Sequence, residues 1–323
     1  MDVVRFGVIG AGYIATKFCE AVLGIHGHLY AIASRDIKKA ESYQNKFGFE
    51  KAYDQYEDLL SDPNVDCVYI ATPHGLHYDH MMLALKHKKN ILCEKSFTLN
   101  ARQAEAVLYK AIENHVFVME AMWTRFLPTI QELKRLIDDG IIGKITHVEA
   151  SFGLYADQNK ERLFSPLLGG GALLDLGVYP ITFANIILGQ PKSFETEVKL
   201  NSNGYDVSEK MKYHYPDAIA LLSSALDMQM NTTGIIKGQN GCIKVPNFWK
   251  AEEAYIYDMN HHLIQEISYP HIVNGLEYEI MEVIRCIESG LTESPIMPHA
   301  ETIEIMKQMD ALRNAWGFKY PQE

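Results

Sequence analysis

Val8-Ile9-Gly10-Ala11-Gly12-Tyr13-Ile14-Ala15 is an apolar run that breaks on a G-x-G-x-x-A turn and passes straight into a helical pattern of Ile14, Phe18 and Val22. That order suits the pyrophosphate of a dinucleotide. Gly10 permits the tight turn, Gly12 lets backbone approach the phosphates, and Ala15 lets the helix pack close on the strand before it. The helix N-terminus, with Tyr13 and Ile14 in its first turn, adds unsatisfied N–H groups and the positive end of its dipole. About twenty residues further on, NAD sites hold an acid for the ribose 2′-hydroxyl. Here stand Ser34-Arg35, with Lys38 and Lys39 behind and Asp36 one place late. An arginine suits a 2′-phosphate, so NADP is the expected cofactor, with NAD possible.

A second set of residues suits proton transfer. Gly169-Gly170-Gly171 opens the run Ala172-Leu173-Leu174-Asp175-Leu176-Gly177-Val178-Tyr179. If that run is helical, Asp175 and Tyr179 share a face at i, i+4, and Pro180 either kinks the helix or restarts it. An ionisable pair behind a glycine loop can serve a sugar-sized substrate as general acid and base. Lys95, after the apolar run Ile91 to Cys93, offers a point charge that can hold a substrate hydroxyl and lower a neighbour's proton affinity.

The elements that must carry these residues alternate strand and helix over the first 120 positions. Apolar runs at Val4–Ile9, Leu29–Ala33, Lys51–Tyr53, Val65–Ala71, Asn90–Cys93 and Phe117–Met119 read as strands, with helical spacing between them. The fold class is α/β, with an N-terminal doubly wound parallel sheet. Such a sheet binds its ligand beyond the carboxyl ends of its strands. There stand Gly10 to Gly12, Ser34-Arg35, Thr72-Pro73-His74, Glu94-Lys95 and Glu120 to Trp123. His74 and His77 open a helix at that rim, to cap it or to touch the cofactor. From Lys144 successive short strands with turns such as Asn240-Gly241 predict an antiparallel sheet, and two helices, Leu276–Ser289 and Ala300–Trp316, close the chain. The expected domains are 1–122, for the dinucleotide, and 123–323, an α+β domain with an open, mainly antiparallel sheet for substrate and dimerisation. The helix 300–316 is placed as packing back on the first domain.

Composition narrows the class. The 323 residues are 47% hydrophobic and 22% charged, as in a globular protein of about two domains. The apolar runs named above are strand-sized, well short of the ~20 residues that span a bilayer, so no membrane partner is expected. Met1-Asp2 leads into the first strand without the features of a signal peptide. Five cysteines without a C-x-x-C fit reduced thiols in the cytoplasm. A net charge of -11 argues against a nucleic-acid surface. His261-His262, adjacent on a strand, would point to opposite faces, and no metal site is expected. Cys93 is read as a buried thiol.

Gly10 to Ala15, Ser34-Arg35, Ala71-Thr72-Pro73-His74, Cys93-Glu94-Lys95, Glu120-Ala121-Met122-Trp123-Thr124-Arg125-Phe126 and Gly169 to Tyr179 together resemble the glucose-fructose oxidoreductase, inositol dehydrogenase and rhizopine-catabolism (Gfo/Idh/MocA) family. Within it they are most similar to the dihydrodiol dehydrogenase and NADP-dependent xylose dehydrogenase branches. The resemblance covers essentially the whole chain. It implies a Rossmann domain, an open-faced second domain that pairs with another subunit as a homodimer, and hydride transfer between NADP and a sugar, cyclic polyol or diol. Lys95 matches the lysine of the family's Glu-Lys-Pro motif, with Ser96 in place of proline. Asp175 and Tyr179 match its Asp-x-Gly-x-x-x-His/Tyr region in part. The implied catalytic residues are Lys95, Tyr179 and Asp175. Gly10, Gly12, Tyr13, Ile14, Ala15, Ser34, Arg35, Thr72, Pro73, His74, His77, Glu94, Lys95, Trp123 and Arg125 would hold cofactor. The alternative is a regulator of the same fold that binds NADP without catalysis, and retention of Lys95, Asp175 and Tyr179 speaks against it.

Overall fold

The computed structural model of the chain describes residues 4–157 and 159–323. Two compact units emerge, one running to Trp123 and taking in His271–Met306, the other formed by Thr124–Pro270 and Lys307–Glu323.

The first unit alternates β1 (Arg5–Ile9), α1 (Tyr13–Gly24), β2 (His28–Ala33), α2 (Ile37–Phe47), β3 (Lys51–Tyr53), α3 (Tyr56–Ser61), β4 (Cys67–Ile70), α4 (His74–Lys86), β5 (Asn90–Glu94), α5 (Ala101–Asn114) and β6 (Val118–Ala121). The strands lie in the order β3-β2-β1-β4-β5-β6, all parallel. Helices on both faces bury such strands, which is why β4 is apolar throughout and wholly buried. Phe18 of α1 stacks on Tyr69 of β4 with ring centroids 3.8 Å apart and meets Phe6 of β1 edge-on at 5.5 Å. The expected strands and helices are all present, with ends shifted by a residue or two.

The second unit contains α6 (Pro128–Asp138), β7 (Ile145–Gly153), α7 (Glu161–Phe164), α8 (Val178–Leu188) and seven further strands. These are β8 (Ser193–Leu200), β9 (Asp206–His214), β10 (Ile219–Ala225), β11 (Gly234–Gly238), β12 (Gly241–Val245), β13 (Glu253–Asp258) and β14 (Leu263–Ser268). Helix α6, with proline in its first turn, was not anticipated. The sheet order is β14-β13-β12-β11-β7-β10-β9-β8. Its pairs are antiparallel except β7 with β10, which run parallel because the chain between them passes through α8 and the β8–β9 hairpin. Two helices close the chain, α9 (Glu277–Glu288) in the first unit and α10 (His299–Trp316), whose first residues belong to the first unit and whose remainder belongs to the second. In the first unit Asn274, just before α9, donates to the Lys17 carbonyl of α1 at 3.0 Å.

Pro166–Leu188, with mean hydropathy 1.5, is long and apolar enough by length and composition to cross a bilayer, but 83% of its most apolar window is buried inside the protein. It is a core helix: Val178 to Ile186 are buried all round, as expected of a helix without a polar face.

Candidate active site

In the first unit the candidate residues line the carboxyl ends of β1, β2, β4, β5 and β6. Gly10 adopts φ +103°, and a Cβ there would lie 3.0 Å from the Ala71 carbonyl oxygen, so only glycine closes this turn without strain. Space over Gly12 is open, with no atom within 4 Å of a Cβ built there. No side chain caps α1. Exposed backbone at Gly12 and an uncapped helix N-terminus fit a dinucleotide pyrophosphate, which would take those N–H groups. Tyr43 of α2 holds the loop in place: its hydroxyl donates to the Gly12 carbonyl at 2.9 Å and receives the Thr16 hydroxyl at 2.8 Å.

After β2, Ser34 is buried and Arg35 exposed. Asp36 is the N-cap of α2, its carboxylate accepting the Lys38 N–H at 3.1 Å. The acid that stood one place late is therefore occupied with starting a helix. Arg35 instead lies near Tyr56, where its charge opposes the rise that burial gives the phenol's pKa.

After β5, three groups clamp the backbone beyond Glu94. His74 Nε2 lies 3.1 Å from the Lys95 carbonyl, His77 Nδ1 3.0 Å from that of Ser96, and Glu120 of β6 accepts the Phe97 N–H at 3.2 Å. The Lys95–Ser96 peptide is cis. His77 also places Nε2 2.7 Å from the Thr72 carbonyl, so it ties the loop after β4 to the loop after β5. It is fully buried, and burial pushes its pKa down to about 4. At neutral pH the ring therefore carries one N–H and donates to one of the two carbonyls. The Glu94 carboxylate accepts the Tyr69 hydroxyl. Cys93 is fully buried, and desolvation raises its thiol well above the usual range. Trp123 begins a 3₁₀ turn that also carries Arg125, and its ring lies 6.3 Å from that of His271.

In the second unit Leu173–Gly177 is a π turn, with Val178 N–H bonded back to the Leu173 carbonyl, and α8 continues from it. Pro180 is the third residue of α8. The widened turn settles the tension over that proline, since a regular helix would press its ring against the carbonyl four residues back. Asp175 on the turn accepts Arg162 Nη1 at 2.7 Å. Asp206, at the start of β9, accepts the Leu173 N–H at 2.6 Å and so places a carboxyl at the start of the turn. Gly171, at φ +135°, is required there, because a Cβ would lie 2.4 Å from Asp206 Oδ1.

Asp206 is fully buried, and that burial raises its pKa to about 6 despite the bond from Leu173. An acid whose pKa is higher in the folded than the unfolded state stabilises the fold below its unfolded value and loses that contribution as pH rises through the folded one. Asp206→Asn is therefore expected to gain stability over wild type progressively between about pH 4 and pH 7, by up to about 3 kcal/mol. Urea denaturation across that range measures the difference, and a gap that does not grow with pH refutes it.

Tyr179 is buried against two aromatic rings, Phe152 at 5.5 Å and Trp249 at 5.8 Å between centroids, and those two stack on each other at 4.8 Å and 21°. Thr124 fixes the tryptophan's backbone by donating to its carbonyl at 2.6 Å. Tyr43, Tyr56, Arg162, Asp206, Phe152 and Trp249 were not singled out from the sequence. Each meets its partner across more than ten positions, and nothing in local spacing marks such a pair.

A family profile described as "Oxidoreductase family, NAD-binding Rossmann fold" matches residues 4–122, and the GFO/IDH/MocA C-terminal domain matches residues 130–244. Trans-1,2-dihydrobenzene-1,2-diol dehydrogenase of Mus musculus is 30% identical over 99% of both chains, and that of Xenopus tropicalis 31% identical over 98% of this chain and 99% of its own. Among solved structures, KijD10, a 3-ketoreductase from Actinomadura kijaniata in complex with NADP and TDP-benzene, superposes with a TM-score of 0.88 at 25% identity, covering 97% of this chain and 98% of its own. Levoglucosan dehydrogenase, complexed with NADH and levoglucosan, shares the fold at TM-score 0.86 and 19% identity, covering 97% of both chains. With an uncapped glycine turn fit for a dinucleotide and relatives matched along its full length, the chain belongs to the GFO/IDH/MocA family of nicotinamide-dinucleotide-dependent oxidoreductases.

Proposed function

We propose that this enzyme moves a hydride between NADP and a hydroxyl-bearing carbon of a ring substrate, a sugar, cyclic polyol or trans-diol. Hydride chemistry is what the nicotinamide supplies when bound. Tyr179 passes the hydroxyl proton, Lys95 holds substrate and phenol by its charge, and Asp175, steadied by Arg162, orients the substrate. The observation that carries the ring substrate is the stacked pair Phe152 and Trp249 against Tyr179: a flat apolar wall beside the Tyr179 hydroxyl accepts the face of a ring and leaves its edge to the tyrosine. The relatives named for a dihydrobenzene diol are named for a ring of this kind. A panel of aldoses, inositols, deoxysugars and trans-diols, followed at the nicotinamide absorbance with NADP and NAD in separate runs, tests it. Turnover of open-chain alcohols alone refutes it.

The assembly that goes with this activity is a homodimer formed through the open face of the second sheet. On that face Leu221 stays 39% exposed amid Glu195, Lys210 and Lys212, a mixture of apolar and both charges that can complement itself about a two-fold axis. Light scattering at micromolar concentration should give about twice the 36.7 kDa of the chain. A monomer at every concentration refutes it.

A further inference from the structure

We propose that Tyr56 and His80 complete, with Arg35, a pocket for the 2′-phosphate of NADP and set the cofactor preference jointly with the arginine, an inference that rests on the NADP reading above. Three elements of the first unit converge there. Arg35 follows β2, Tyr56 opens α3, and His80 lies on the second turn of α4. The Arg35 guanidinium lies close enough to bear electrostatically on both Tyr56 and His80. Tyr56 and His80 meet edge-on, with ring centroids 4.9 Å apart at 83°. Thr72, at the end of β4, fixes the imidazole through a 2.9 Å hydrogen bond between its hydroxyl and Nδ1.

The chemistry of the three groups matches a phosphomonoester. A phosphate offers three acceptor oxygens and close to two negative charges. Arg35 brings a forked cation, Tyr56 a hydroxyl, and His80 the nitrogen that Thr72 leaves over, Nε2. Burial lowers the pKa of His80, Arg35 lowers it further and Asp79 on its own helix opposes both, so the ring is neutral before a ligand arrives and adds no repulsion to the arginine. Asp36, the nearest acid in sequence, is engaged at the start of α2 and does not compete with the phosphate. NADH presents a neutral 2′-hydroxyl at this position. Loss of either ring's polar group therefore weighs on NADPH and little on NADH.

Tyr56→Phe and His80→Gln, with His80→Asn as a second probe of the same ring and Arg35→Ala as reference, are titrated with NADPH and NADH by nicotinamide fluorescence. Thermal melting establishes which variants are folded. Tyr56→Phe and the histidine variants should each weaken NADPH by about 10- to 100-fold, the range for one hydrogen bond to a charged group, and leave NADH within about twofold. If folded variants bind NADPH like wild type, or lose both cofactors equally, the pocket is wrongly assigned. If Arg35→Ala itself leaves the ratio of the two affinities unchanged, the NADP reading fails, and the pocket falls with it.

Discussion

Tyr179→Phe is expected to lower kcat by about 10²- to 10⁴-fold while NADPH affinity persists. The change removes one oxygen from a side chain packed against Phe152 and Trp249, so the ring stays where the aromatic cluster holds it and the loss is one of chemistry. Lys95→Ala should lower kcat similarly, with the backbone of its loop still held by His74, His77 and Glu120. If the two act as one proton-transfer unit, the double variant loses far less than the product of the single losses. The measurement is kcat for the three variants on whichever substrate the panel yields. Wild-type turnover in Tyr179→Phe would overturn the assignment and send the proton through Asp175, a histidine or water.

The second large effect concerns Arg35. Arg35→Ala should weaken NADPH by about 10- to 100-fold, as for removal of charged hydrogen bonds to a phosphate, and leave NADH nearly unaffected. The structure sharpens the reason. An acid that could have served the ribose of NAD does stand nearby, but Asp36 accepts Lys38 N–H and starts α2. Fluorescence titration with both cofactors decides the matter, and equal losses refute it.

Much of the first unit was legible because its determinants are local. A buried parallel strand needs an unbroken apolar run, as in Cys67–Ile70, and a tight strand-to-helix turn needs glycine, as at Gly10, so both leave marks within a few residues. The parallel pairing of β7 with β10 left no such mark. Alternation of apolar and polar residues reports a half-buried strand and is silent on the direction of its partner. Helix α6 was not expected, although Ile130, Leu133 and Leu136 recur on its buried face. The candidate site divides in the same way. Gly10, Gly12, Arg35, Lys95 and Tyr179 could be picked out by type and place. Tyr43 on Gly12, Tyr56 on Arg35, Arg162 on Asp175 and Trp249 on Tyr179 exist as partners only once the chain has folded.

A π turn is an α-helix carrying one surplus residue, so the stretch Leu173–Gly177 is constrained in its length as firmly as in its composition. Deleting Leu174 would let the helix close into regular turns. All that precedes the cut would then swing by about 100° and shift by about 1.5 Å against α8. Asp175 would part from Arg162, and the Leu173 N–H from Asp206, while Tyr179 kept its seat on Phe152 and Trp249. Pro180, meanwhile, would meet the carbonyl of Leu176. Loss of a single codon is thus a route by which a chain of this fold could break the Arg162–Asp175 pair without altering Tyr179 at all.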